Sequence, residues 1–119
     1  NAADIKAVMT EFLERNPETC FVAVDNDEII GVILCGNDGR RGYIYHTAVK
    51  PSERNKGIGT KLVDRAMKAF ENIGITKVAL VVFEKNETGN TFWEKKGFMS
   101  RKDLVYRNKQ ITEMIRIDT

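Results

Sequence analysis

Between residues 54 and 59 the chain reads Arg-Asn-Lys-Gly-Ile-Gly, and the spacing of its apolar residues changes across that turn. Upstream lie three apolar runs, CFVAV, EIIGVIL and GYIYHTAV, separated by Asp25-Asn26-Asp27 and by Gly36-Asn37-Asp38-Gly39. Short β-branched and aromatic runs bounded by Gly, Asn and Asp predict strands joined as an antiparallel meander. Downstream, Ile58, Leu62, Val63, Ala66, Met67, Phe70 and Ile73 recur at helical spacing and stop at Gly74, which predicts an amphipathic helix with a glycine cap. A switch from strand period to helix period restricts the chain to folds in which a helix packs on a sheet.

The flanking segments extend that pattern. Residues 4–15 place Ile5, Val8, Met9, Phe12 and Leu13 on one helical face, with Asp4 as N-cap and Asn16-Pro17 as the stop. KVALVVF, near-continuously apolar, reads as a strand buried on both faces. Asn86 to Lys96 reads as a short helix closed by Gly97, and FMSRKDLVY and ITEMIRI as a final hairpin. The predicted order is α-βββ-α-β-α-ββ: one α/β domain over residues 1–119, with a central mixed, twisted sheet of about six strands flanked by three helices. A chain of 119 residues can build one core but not two.

Composition narrows the partners. Hydrophobic residues at 42% and charged residues at 30% describe an ordinary globular protein. A net charge of +2 argues against a nucleic-acid partner, and Lys95-Lys96 and Arg101-Lys102 read as solvated surface. Cys20 and Cys35 lie in or beside apolar runs without metal-ligand spacing, so free thiols in a reducing compartment are expected. No apolar stretch approaches the ~18–20 residues of a membrane helix, and no signal-peptide pattern is present. The expectation is a cytoplasmic protein with no membrane partner and no metal.

The glycine turn then acquires a chemical reading. The first N–H groups of a helix lack intrahelical partners and carry partial positive charge. Gly57 and Gly59 have no Cβ, so ligand oxygens can approach the backbone, and Arg54, Lys56 and Lys61 add cationic side chains. Two familiar phosphate loops do not fit. A Walker loop requires a different spacing before its lysine, and a dinucleotide fingerprint requires a third glycine where Leu62 stands.

Arg54-x-x-Gly57-x-Gly59 resembles the acyl-CoA signature of the GNAT superfamily of N-acyltransferases, and TAVKPSERNKGIGTKLV resembles that family's strand–loop–helix. NETGNTFWEKKGF is similar to the family's later motif: Asn86, Phe92, Gly97 and Phe98 are in register, with Gly89 in place of Ala and Trp93 in place of Tyr. The resemblance spans nearly the whole chain but starts at the family's second helix. The family's first strand and first helix are missing, and the loop between its first two helices, which helps wall the acceptor side, is expected to be truncated, unresolved or supplied by a neighbouring chain. A homodimer would cover such an edge.

The resemblance implies transfer of an acetyl group from acetyl-CoA to a primary amine by direct attack, without a metal. It implies a pyrophosphate seat on the N–H groups of Asn55, Lys56, Gly57, Ile58, Gly59 and Thr60, near Arg54. It also implies a pantetheine arm along Ala48 and Val49, a Val49 N–H facing the thioester oxygen, and Asn86 holding the cofactor from the other side. The family's usual base positions fall on Tyr43 and Val81, neither a carboxylate. His46, the only histidine, is the base candidate by intrinsic pKa, against an alternative as a strand histidine hydrogen-bonded within the sheet. Glu84 and Glu28 are weaker candidates. Trp93 occupies the usual Tyr acid position, but an indole cannot give up its proton at neutral pH. It is equally read as a core aromatic. Tyr43, Tyr45 and Tyr106 are further acid candidates that no motif positions. The acceptor, a small molecule or a protein amine, is not specified by any motif. The competing function is an acyl-CoA-binding or regulatory module without turnover.

Overall fold

The computed structural model describes residues 2–112, and side chains from residue 9 onward. Ala2–Arg15 form helix α1, Phe21–Asp25 strand β1, Glu28–Asn37 β2, Gly42–Val49 β3, Ile58–Asn72 helix α2, Val78–Ala79 β4 and Glu87–Lys95 helix α3. A single turn of 3-10 helix at Pro51–Glu53 links β3 to α2. The sheet runs β1-β2-β3-β4, antiparallel through the first three strands and parallel between β3 and β4. The fold is α/β, with three helices and a four-stranded mixed sheet.

Local chemistry explains the joints. Asp25 pairs with Glu28, leaving Asn26 and Asp27 as a two-residue loop with φ of 49° and 63°, the doubly left-handed geometry that matches strand twist. The next turn sits at residues 38–41 rather than 36–39, because β2 continues to Asn37. Asp38 Oδ1 accepts the N–H groups of Arg40 and Arg41 at 2.8 Å each, which holds its carboxyl below the usual range. Helices α2 and α3 end alike. At α2, Gly74 N–H donates to Glu71 and Ile75 N–H to Phe70; at α3, Gly97 N–H donates to Glu94 and Phe98 N–H to Trp93. In each, a left-handed glycine is followed by an apolar residue packed back on the last turn.

The core lies between α2 and one face of the sheet, built from Ile33, Cys35, Ile44, Leu62, Val63, Ala66, Phe70 and Ile75. Gly42 permits the closest approach: a Cβ there would stand 2.6 Å from the Phe70 ring. The C-terminal end of helix α1 packs on the other face, with Asn16 against Gly36 and the Phe12 ring edge-on to Tyr45 at 5.5 Å. The β2–β3 register pairs Leu34 with His46 but Cys35 with Ile44, so Tyr45 is an inserted, bulged residue.

Several expectations are corrected. Asp4 lies inside α1 rather than capping it. The strand expected over KVALVVF is two residues long; after Ala79 the chain leaves β3, and Val81 and Phe83 are exposed rather than buried on both faces. Residues 98–112 form no helix or strand, so FMSRKDLVY is not a strand, and Met99, Leu104, Val105 and Tyr106 are exposed. So short a β4 offers no edge on which a hairpin could pair. ITEMIRI falls almost entirely outside the described residues. The sheet therefore has four strands among the described residues, not about six. No helix among them is long and apolar enough to cross a membrane.

Candidate active site

Helix α2 begins in an unusual way. Its N-cap, Gly57, is left-handed (φ 82°), no side chain caps the first turn, and no acidic residue lies in it. Asn55, two residues earlier, is also left-handed (φ 64°). Nothing lies within 4 Å of a Cβ built on Gly57, so the space above the turn is open. Gly59 is different: its Cβ position meets Phe92 at 3.5 Å, an ordinary contact that seats α3 against α2. The orphan N–H groups and helix dipole therefore face open space, the local physics of an anion seat.

The neighbouring cations are partly committed. Lys56 Nζ is paired with Glu53 at 2.9 Å, and Arg54 Nε donates to the Val49 carbonyl at 3.2 Å. Lys61 is exposed on the first turn of α2. The positive character of the seat thus rests on the backbone more than the sequence suggests, while Arg54 ties the turn to the end of β3.

Strands β3 and β4 pair only at Gly42–Val78 and Tyr43–Ala79 and then diverge. Beyond that point one edge of β3 faces a gap. Lys50 N–H donates to the Ile30 carbonyl at 2.8 Å, and Val49 pairs opposite Gly31. Alternation along an antiparallel ladder then turns the N–H groups of Val49 and Thr47 toward the gap, while Ala48 bonds back to Val32. A free strand edge of this kind can receive an extended, amide-bearing ligand.

On the opposite face, under α1, runs an open groove of about 790 Å³. Phe12, Leu34, Tyr43, Tyr45 and His46 line it, with Arg15 at its rim. The bulge places consecutive residues, Tyr45 and His46, on this same face. The Tyr43 and Tyr45 rings lie 4.6 Å apart, tilted at 44° to one another. Burial, followed by the charges of Tyr106 and Tyr45, pushes the Tyr43 phenol up, so Tyr43 is a neutral hydrogen-bonding group and not a base at neutral pH.

The chain matches the Acetyltransferase (GNAT) family over residues 2–98. The chain belongs to that family. It is 36% identical over 104 residues to N-alpha-acetyltransferase 30 of Schizosaccharomyces pombe, covering 83% of this chain and 69% of that protein. It is also 36% identical over 83 residues to an acetyltransferase of Pectobacterium atrosepticum, covering 70% of this chain and 59% of the relative. The NatC complex bound to Gag peptide and CoA superposes with a TM-score of 0.72 at 31% identity, over 81% of this chain and 67% of that one.

Within this GNAT domain the remaining candidate residues separate. Asn86 is the N-cap of α3, its Oδ1 accepting the Gly89 N–H at 2.9 Å, so its carbonyl oxygen is already committed. A Cβ on Gly89 would approach the Asn86 amide to 2.5 Å, so the Asn86 side chain would have to shift to admit one. Trp93 is wedged edge-to-face between Phe92 at 5.0 Å and Phe98 at 5.2 Å, the arrangement of a packing aromatic. Glu28 is paired with Lys50, and Glu84 is exposed in the turn before α3. His46 lies three residues before Val49, about 10 Å along the strand, and on the groove face. The structure thus gathers Val49, Gly57 and the β3–β4 gap at one end, and Tyr43, Tyr45 and His46 in the groove behind it.

Proposed function

We propose that this GNAT domain is an N-acetyltransferase that binds acetyl-CoA and acetylates the α-amino group of a polypeptide. The observation that carries this reading is the N-terminus of α2, uncapped, left-handed at Gly57 and open above. The pyrophosphate would rest on N–H groups of residues 55–60, with the pantetheine arm against the free edge of β3 at Ala48 and Val49. Acetyl-CoA supplies the activated acyl group. The chain's own part is to hold it, to offer the Val49 N–H to the carbonyl oxygen, and to admit an amine from the groove.

The acceptor class is supported from two directions. The 36% identical relative is named an N-alpha-acetyltransferase, and the NatC structure holds a peptide and CoA. Independently, Tyr43 and Val81 leave the usual base positions without a carboxylate. An α-amine with pKa ~7.7–8 is about a tenth neutral at pH 7, whereas a lysine at ~10.4 is about a thousandth neutral. A site without a strong base therefore suits an α-amine. In this reading His46, which lines the groove, would accept a proton through intervening water.

The second reading is a cofactor-binding module without turnover. It draws on Asp38, the carboxylate lining the groove, whose Oδ1 is taken by two backbone N–H groups. The test is thiol release from acetyl-CoA with a short peptide bearing a free N-terminus, the same peptide N-terminally blocked but carrying lysine, and a small polyamine. Release with the free N-terminus alone is expected. Release with lysine or polyamine would overturn the acceptor assignment, and binding without release would favour the module.

A further inference from the structure

The hydroxyl of Thr47 is the only buried side-chain nitrogen or oxygen among the described residues that lacks a hydrogen-bond partner. Its position makes that deficit informative. Thr47 stands opposite Ile33, so its side chain shares the α2-facing side of the sheet with Ile33, Ile44 and Val49. Its backbone faces the gap that opens where β4 leaves β3. A buried polar atom without a partner is a rare state that calls for a cause. A bridging water would need two to four polar partners, and the residues paired with or next to Thr47 on this face are aliphatic. An aliphatic residue of the same shape would pack there without a deficit.

We propose that Thr47 Oγ1 is a ligand-binding atom, which hydrogen-bonds an amide of the pantetheine arm of acetyl-CoA. The proposal rests on the acetyl-CoA reading above and extends it from the backbone of β3 to a side chain. An amide-bearing chain laid along the free edge of β3 brings both a carbonyl and an N–H past this position. A threonine hydroxyl can satisfy either one. The deficit of the unliganded protein is thereby removed on binding, so the hydroxyl favours the bound state over the free one.

The test is Thr47→Val, which keeps the shape and deletes the hydroxyl, with Thr47→Ser as the variant that retains it. Three quantities are measured: the Tm of the free protein, the calorimetric Kd for acetyl-CoA, and the Kd for adenosine 3′,5′-bisphosphate, which lacks the arm. Thr47→Val should melt at a higher temperature than wild type when free, yet bind acetyl-CoA about three- to tenfold more weakly. Its affinity for the arm-less nucleotide should equal wild type, and Thr47→Ser should bind acetyl-CoA within about twofold of wild type. Equal acetyl-CoA affinity in Thr47→Val and wild type overturns the proposal, and so does equal weakening toward both ligands. Failure of the wild-type protein to bind acetyl-CoA would instead overturn the cofactor reading on which the proposal depends.

Discussion

Gly57 combines a left-handed backbone with empty space where a side chain would go, and each property predicts a different effect of substitution. A Cβ costs about 1–2 kcal/mol in that backbone region, a loss the whole domain should survive. A branched side chain would also fill the space above the helix terminus. Gly57→Val should therefore keep its circular-dichroism spectrum and melt at a lower temperature. It should give no saturable heat with acetyl-CoA. Retained binding would place the seat elsewhere. Cys35 makes a separate prediction. Burial, followed by the charge of Cys20, pushes its thiol from 9.0 up to about 12. In the unfolded chain the thiol ionises first, so its contribution to stability is full below pH 9 and is lost as pH rises toward 12. Thermal melts across that window should show Cys35→Ala losing less stability than wild type, although it starts lower because of the cavity.

At the level of elements, what the sequence made legible was periodic or capped. Helix α2 appears with its Gly74 stop, and α3 with Asn86 and Gly97 at its two ends, because each boundary is written in a residue with a specific backbone role. Asn86→Ala should lower stability by about 1 kcal/mol by removing the cap, while Asn86→Asp, also a good cap, should melt close to wild type. Comparing both variants in acetyl-CoA titrations separates capping from cofactor contact, since Asp retains the oxygen and loses the amide donor. What misled was apolarity without a partner. The run from Lys77 to Phe83 reads as a buried strand, yet only Val78 and Ala79 pair, because β3 and β4 diverge and no period records divergence. The hydroxyl of Thr47 was likewise illegible: within TAV it is one strand residue among others until the register shows which face it occupies.

For the molecule as a whole, the fold class and the glycine turn that opens α2 could be read in advance, whereas the size of the sheet could not. Residues 99–112 carry exposed apolar side chains and form no helix or strand, while residues 2–98 hold the family match and the core. Limited trypsin digestion should cut first at Arg101 and Lys102, leaving a fragment ending near there with the melting behaviour of the intact core. Early cleavage within α2 would contradict this. The bulge at Tyr45 has a consequence of another kind. If the same residues alternated strictly, with no bulge at Tyr45, Ile44, His46 and Ala48 would fall on one side of β3, and Tyr45, Thr47 and Val49 on the other. One residue thus acts as a phase shifter. It lets a single strand anchor the core with Ile44, then direct His46 to the groove and Thr47 to the opposite face. Deleting Tyr45 would restore plain alternation and leave its neighbours on their present faces, whereas inserting one residue between His46 and Val49 would exchange the two sides' chemistry beyond it.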